Sequence, residues 1–207
     1  EGQRVGLVPT MGALHEGHLG LVRRAGRECD EVCVSVFVNP LQFDERRDFE
    51  RYPRDFEGDA RLLATAGCGM VFTGTLRQFF PDEAVSDTRV APEALLDPGP
   101  CAIGLEGEFR PGHFQGVATI VARLFDVAAP ERAYFGAKDF QQSLVVADLA
   151  RRRGGPEVVV CPTSREPSGL ARSSRNELLA PEDRERAVAV SRALSRTRES
   201  WGGGERD

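Results

Sequence analysis

Two of the three histidines in this chain, His15 and His18, lie three residues apart, directly after the apolar run 5–8 and directly before a helical pattern. A strand, a glycine-bearing turn and a helix start bring backbone N–H groups and a helix N-terminus to one point in space. Imidazoles at such a point favour an anion such as a phosphate. The spacing therefore predicts a nucleotide site that has no P-loop.

Two other interpretations of the histidine pair remain open at this stage. A His-x-x-His spacing also suits two metal ligands, although the sequence shows no further cluster of Cys, His and carboxylate residues that would complete a zinc site. Alternatively, the two histidines cap the helix and do no chemistry.

The second notable residue is Lys138, the only lysine among the 27 basic residues. A compact ammonium on a flexible stem does a different job from a planar guanidinium, so one lysine among arginines attracts attention. Lys138 follows a predicted strand end and precedes Asp139, which we expect to cap a helix. A lysine beside a helix N-terminus is well placed to meet phosphate oxygens.

Other polar groups also follow predicted strands or lie at a predicted hinge. They are Asn39 with Gln42, Gln142, and the run Ser173-Ser174-Arg175. Each is a weak signal alone, because surface amides and serines are common. Their shared position at strand ends is what makes them candidates, since ligands of open α/β sheets bind at the carboxyl ends of the strands.

Strand and helix patterns alternate along the chain, which predicts an α/β fold with a parallel sheet and helices on its faces. Strands are expected over 5–8, 33–38, 70–72, 133–135 and 158–161, and helices after residue 17 and over 56–66, 117–125, 140–152 and 181–199. The stretches 39–54 and 163–176 are predicted loops, and 74–100 an irregular connection with short strands. We expect a domain over 1–163, then a hinge loop and the truncated start of a smaller C-terminal domain over 164–207.

Composition narrows the classes of function. The chain has 207 residues, a formal net charge of -5 and no apolar run as long as a membrane span, which argues against nucleic-acid and membrane partners and favours small-molecule substrates. Five cysteines without a C-x-x-C pair indicate reduced thiols and a cytoplasmic protein. Because the chain begins at Glu1, we expect it to be a fragment.

Five motifs, in order and at suitable spacing, resemble the pantothenate synthetase family. They are the tract 9–18 around the two histidines, FVNPLQF at 37–43, RPGHF at 110–114, FGAKDFQQ at 135–142 and SSRN at 173–176. The resemblance runs from about residue 4 to residue 195.

The resemblance implies a Rossmann-like nucleotidyltransferase with a HIGH-type motif and a mobile KMSKS-type loop. It implies that ATP and (R)-pantoate, with Mg2+, give a pantoyl adenylate and pyrophosphate, and that β-alanine then gives pantothenate and AMP. It also implies a C-terminal lid domain and a homodimer.

By the same resemblance, His18 is the proton donor, and His15, Lys138, Ser173, Ser174 and Arg175 assist catalysis at the phosphates. The implied ATP-site residues are Pro9, Thr10, Met11, Gly12, Ala13, Leu14, His15, Glu16, Gly17, His18, Gly136, Ala137, Lys138, Asp139, Ser164, Arg172, Ser173, Ser174 and Arg175. Gln42 and Gln142 are implied to hold pantoate, with Asn39 and Arg110 as weaker candidates beside them.

The chain departs from the family pattern at several places. Arg172 stands where Met is usual, Ala137 where Glu is usual, and Ser164 where Val is usual; an acidic pair is reduced to Asp59 after Gly58, so no magnesium ligand is assigned. Two alternatives therefore stay open beside the ligase. One is another nucleotidyltransferase of the same superfamily, and the other is a non-catalytic nucleotide-binding module.

Overall fold

The computed structural model describes residues 2–81 and 85–203. Its centre is a five-stranded sheet in which every neighbouring pair is parallel. The strands are β1 Val5–Thr10, β2 Glu31–Val36, β3 Met70–Phe72, β4 Arg132–Gly136 and β5 Glu157–Cys161, in the spatial order β3-β2-β1-β4-β5. The order reverses between β1 and β4, so a crevice is expected at the carboxyl ends of these two strands.

Eight α-helices connect or flank the strands within the described residues. They are α1 Glu16–Glu28, α2 Arg46–Arg51, α3 Phe56–Thr65, α4 Leu76–Phe79, α5 Glu106–Phe109, α6 His113–Ala128, α7 Phe140–Arg153 and α8 Pro181–Gly202. Short 3-10 helices cover Pro40–Gln42, Pro92–Ala94, Pro100–Ala102 and Ser174–Leu178. None of the helices that the structure describes is long and apolar enough to cross a membrane.

Helices cover both faces of the sheet, as the sequence predicts. Successive strand residues point to opposite faces, so Leu7 joins a core with α6 and α7, whereas Val8 joins a core with α1 and α3. Both side chains are fully buried. Burial on two faces explains why the strands are continuous apolar runs rather than alternating ones.

Two predicted loops contain more structure than the sequence indicated. The stretch 39–54 includes a 3-10 turn and α2, a polar helix with an Arg46–Glu50 ion pair one turn apart. Instead of the short strands expected over 74–100, the described part of that stretch has α4, which Thr75 and Gln78 start with a reciprocal capping box. Local capping and charge pairs stabilise these short helices, whose sequences show no apolar periodicity.

The five cysteines are free thiols. The loop 163–176 carries one isolated antiparallel bridge between Arg165 and Ala171, and α8 buries a single side chain, Val188, against the rest of the chain. The division at residue 163, like the cytoplasmic location, stays a prediction.

A close backbone approach between α6 and the 3-10 turn sets the position of the loop after β2. A Cβ atom on Gly116 would collide with the backbone carbonyl of Leu41, so only glycine fits there. The carbonyl of Gly116 in turn accepts a hydrogen bond of 3.1 Å from Asn39 Nδ2. Gly20, in the middle of α1, has no atom within 4 Å of such a Cβ.

We expect Gly116→Ala and Gly20→Ala to have opposite effects on the free energy of unfolding. Gly116→Ala should lower it by about 2 kcal/mol through overpacking. Gly20→Ala should raise it by about 1 kcal/mol, because alanine has the higher helix propensity. Urea unfolding of both variants measures this, and equal effects would contradict the close approach at Gly116.

Candidate functional site

A pocket opens at the carboxyl ends of β1, β4 and β5, where the sheet order reverses. Most of the residues singled out from the sequence line it. These are Pro9, Thr10, Met11, His15, Gly17, His18, Asn39, Gln42, Arg110, Gly136, Lys138, Asp139, Gln142, Ser164, Arg172, Ser173, Ser174 and Arg175. The tertiary structure thus joins motifs that are far apart in the chain.

Five residues of the implied ATP site do not line this pocket. They are Gly12, Ala13, Leu14, Glu16 and Ala137. Leu14 is buried in the core beside α1, and the Glu16 carboxylate pairs with Arg23 on the outer surface of that helix. These residues influence the shape of the site or its surroundings but do not form the wall of the pocket.

The two histidines use the same ring nitrogen to organise the start of α1. His15 Nδ1 accepts from the backbone N–H of Gly17 at 3.1 Å, and His18 Nδ1 accepts from the N–H of His15 at 3.3 Å. The rings stack with centroids 4.1 Å apart. Because an accepting Nδ1 carries no proton, each neutral ring has its hydrogen on Nε2. Capping and ligand binding are therefore compatible, since the cap leaves Nε2–H as a donor.

Burial makes both imidazoles weak bases. It lowers the pKa of His18 to about 3, with the charges of His15 and Lys138 adding to the effect. It lowers the pKa of His15 as well, and Lys138 and Arg172 contribute in the same direction. The free site therefore holds two neutral N–H donors at neutral pH.

The backbone of the turn is less available to an anion than the sequence suggested. The N–H of Gly12 donates to Thr10 Oγ1 at 3.2 Å. The N–H groups of Ala13 and Leu14 donate to the carboxylate of Asp59 at 2.9 and 2.7 Å. These three donors already have partners in the free protein, whereas the His15 and His18 side chains offer Nε2–H groups. That the turn lines a nucleotide site stays a prediction.

Lys138 lies at the end of β4 and forms an ion pair of 2.6 Å with Asp139 Oδ1. Asp139 is the N-cap residue of α7, as the sequence predicts, but its side chain makes no capping hydrogen bond. The ammonium attracts that carboxylate more strongly than a backbone amide would. Lys138 thus brings one positive charge to the pocket, balanced by its neighbour.

Asn39 orients the amide of Gln42. Asn39 is buried, and its Nδ2 donates to Gln42 Oε1 at 3.0 Å as well as to Gly116, while its Oδ1 accepts from Leu41 at 3.0 Å. These three bonds fix the Asn39 amide without ambiguity. Gln42 must therefore turn its oxygen toward Asn39, which leaves its NH2 group as the free donor.

Arg110 braces the same loop. Its guanidinium contacts Glu106 at 2.7 Å, Asp44 at 3.4 Å and the carbonyl of Gln42 at 3.3 Å. His113 Nδ1 lies 2.8 Å from that same carbonyl. Because two carboxylates lie beside it, Arg110 holds the loop in place. His113 holds the same loop; it belongs to the motif 110–114, but the sequence did not indicate its role.

The serine-rich loop lies against the site. Ser174 is buried and donates from Oγ to the carbonyl of Ala13 at 2.9 Å. Arg175 makes a two-pronged ion pair with Asp48 of α2, with contacts of 2.7 and 3.3 Å. Its guanidinium also lies 5.3 Å from the ring centre of Tyr52. Neither Asp48 nor Tyr52 was singled out from the sequence, because nothing near them in the chain marks them.

Within residues 2–81 and 85–203, no group of three or more His, Cys, Asp and Glu side chains is placed to hold a metal ion. The Nδ1 atoms of both histidines already accept backbone hydrogen bonds.

Comparison with known proteins shows which family this chain matches. The family model described as pantoate-beta-alanine ligase matches residues 1–207. A pantothenate synthetase of Rubrobacter xylanophilus is 55% identical over 208 residues, which is all of this chain and 71% of that protein. A Thermus thermophilus pantothenate synthetase is 54% identical over 201 residues, 97% of this chain and 70% of its own length.

Solved structures agree with the fold. The crystal structure of a pantothenate synthetase from Thermus thermophilus superposes with a TM-score of 0.87 at 51% identity, covering 97% of this chain and 71% of that one. Pantoate-beta-alanine ligase from Francisella tularensis, solved with beta-gamma ATP and beta-alanine, gives a TM-score of 0.83 at 38% identity, covering 93% and 72%. This chain belongs to the pantoate-beta-alanine ligase family, whose members are enzymes of the ligase class.

Proposed function

We propose that this chain binds ATP and (R)-pantoate in the pocket at the sheet reversal and joins pantoate to β-alanine through a pantoyl adenylate. The observation that carries the proposal is the convergence, in one pocket, of the two neutral histidine donors, Lys138, Gln42 and Gln142. Cations and N–H donors suit a polyphosphate, and neutral amides suit a hydroxy acid. The Francisella tularensis relative was solved with beta-gamma ATP and beta-alanine, which supports ATP and β-alanine as ligands of this chain.

In the first step, a pantoate carboxylate oxygen attacks the α-phosphorus of ATP. A new P–O bond forms, the bond to the β-phosphate oxygen breaks, and pyrophosphate leaves with the electron pair. Such a transfer needs in-line placement and stabilisation of developing charge rather than a covalent nucleophile. We assign that stabilisation to His15, His18 and Lys138, with the loop residues Ser173 and Arg175 closing over the phosphates.

In the second step, the amine of β-alanine attacks the acyl carbon of the adenylate. The C–N bond of pantothenate forms, the acyl C–O bond breaks, AMP leaves, and the amine gives up a proton. The free NH2 of Gln42 would hold an acceptor oxygen of pantoate throughout, and Gln142 would hold another. Gly136 and Asp139 would meet the adenosine, with Ser164 and Arg172 beside it.

In this proposal, Mg2+ binds only together with the ATP phosphates. Mg2+ usually keeps several waters and binds through one or two carboxylates together with substrate phosphates. The described residues offer no carboxylate cluster in the pocket, so no protein ligand and no step is assigned to the metal. The homodimer and the lid domain remain predictions from the resemblance.

The test is release of pyrophosphate from ATP that depends on pantoate, followed by release of AMP that depends on β-alanine. Equal turnover with CTP would favour another nucleotidyltransferase of the superfamily. Binding of ATP with no pyrophosphate release would favour a non-catalytic module. Either result would overturn the proposal.

We expect His18→Ala to slow adenylate formation by about 10²-fold or more, because one preorganised donor to the developing charge is lost. His18→Gln keeps a neutral N–H donor and should retain more activity. Rapid-quench measurement of pyrophosphate formation checks both variants. A His18→Ala protein that turns over normally would remove His18 from the mechanism.

The pH profile follows from the lowered histidine pKa. Since burial lowers the pKa of His18 to about 3, the imidazole is already neutral in the free enzyme between about pH 6 and 8. The value of kcat/KM for ATP should therefore show no loss from His18 deprotonation as the pH rises across that range. A fall above about pH 6.5 in the wild type that is absent from His18→Gln would contradict a neutral donor.

Lys138→Arg tests whether the single lysine is needed for its shape or only for its charge. The larger planar guanidinium would present its N–H groups to phosphate oxygens in a different geometry from the compact ammonium, so kcat/KM for ATP should fall about tenfold. Arg23→Lys, at an exposed ion pair on α1, is the matched control and should change it by less than about twofold. If Lys138→Arg is as active as the control, the ammonium acts as a charge alone.

A further inference from the structure

The carboxylate of Asp59 is buried behind the histidine turn. Asp59 lies in α3 and is 3% exposed. Its Oδ2 accepts from the N–H of Ala13 at 2.9 Å and its Oδ1 from the N–H of Leu14 at 2.7 Å. Asp59 does not line the pocket. Its hydrogen bonds reach the site through the backbone of the turn.

Ala13 needs such support, because its backbone is in the left-handed region at φ +50°. A residue other than glycine adopts this conformation at a cost and keeps it only when its surroundings hold it there. The N–H of Ala13 is held by Asp59, and its carbonyl accepts from Ser174 Oγ at 2.9 Å. Two side chains from different parts of the chain thus grip the two sides of one strained residue.

The start of α3 does not depend on this carboxylate. Asp55 caps that helix through a hydrogen bond of 2.9 Å from the N–H of Gly58. A buried carboxylate is costly unless it is well hydrogen-bonded, and both donors that Asp59 receives come from the turn. The turn is also close to it, since a Cβ on Gly12 would lie 2.8 Å from Asp59 Oδ2.

We propose that Asp59 is a positioning residue of the nucleotide site, which holds Ala13 in its strained conformation and so fixes the backbone that presents His15 and His18 to the phosphates. This inference rests on the proposed function and adds to it a residue that never touches the nucleotide. It also assigns the Ala13 and Leu14 amides to the protein rather than to a phosphate.

The first experiment compares Asp59→Asn with Asp55→Asn in the same helix. Both changes replace a carboxylate by an amide of equal size, but only the first puts an NH2 group against a turn amide. Asp59→Asn should lower kcat/KM for ATP about tenfold or more, since misplacement of about 1 Å is enough for such losses. Asp55→Asn, an equally good cap, should stay within about twofold of the wild type. An Asp59→Asn protein that is folded and matches the control would overturn the proposal.

A rescue separates positioning from packing. Glycine adopts the left-handed conformation without strain. In the Ala13→Gly variant, the conformation of the turn should therefore depend less on the hydrogen bond to Asp59. The double variant Asp59→Asn, Ala13→Gly should be at least about threefold more active than Asp59→Asn alone, within the range that relief of backbone strain allows. A double variant with no gain would mean that Asp59 acts through the core rather than through the turn.

A third measurement needs no variant and so remains informative if Asp59→Asn does not fold. Amide hydrogen exchange of the wild type should show Ala13 and Leu14 protected in the free protein, with the same protection when ATP is added. If these two amides exchange freely in the free protein and become protected only when ATP is added, the proposal is overturned, because the amides then bind the nucleotide rather than Asp59. Because ATP alone is the probe, this result stands apart from pantoate-dependent turnover, whose absence would overturn only the proposed function.

Discussion

The position of β1 at the centre of the sheet is the constraint on which the site depends. β1 is hydrogen-bonded to β2 on one side and to β4 on the other, and all three run in parallel. The chain leads from β1 to β2 and from β4 to β5, in opposite directions along the sheet, so a crevice lies at the carboxyl ends of β1 and β4. The histidine turn after β1 and Lys138 after β4 face the same space because the two strands are neighbours.

Around that crevice, the charges of the free site are largely balanced by nearby carboxylates. Lys138 pairs with Asp139, and Arg175 pairs with Asp48. The histidines are neutral because burial penalises their charged forms. A polyphosphate would therefore compete with carboxylates for the cations it meets, which helps to explain how an enzyme with a formal net charge of -5 can present a site for an anion.

The polar groups of the pocket are held by neighbouring side chains, of which Asn39, Arg110 and His113 also line the pocket and Asp59 does not. Asn39 fixes the amide of Gln42, Arg110 and His113 brace the carbonyl of the same residue, and Asp59 grips the turn. Such supports matter because donors act on developing charge only when they are already in place. These bonds hold the loops at this site in addition to their short helical turns.

The sequence by itself determined the α/β class, the strand and helix positions to within a few residues, and most of the residues that line the pocket. Apolar runs and helical periods report directly on burial, and motif spacing marks polar residues at strand ends. The short helices α2, α4 and α5 were missed, because capping boxes and i, i+4 ion pairs leave no apolar period.

Only the tertiary structure decided which group bonds to which. The Asp139 side chain pairs with Lys138 and makes no capping hydrogen bond, and the turn amide of Leu14 donates to Asp59, which is 45 residues away along the chain. Asp48 and Tyr52 contact Arg175, although more than a hundred residues of sequence separate them from it. Hydrogen-bond partners depend on distances between segments, and these distances are set by packing of the whole sheet and its helices rather than by any local pattern.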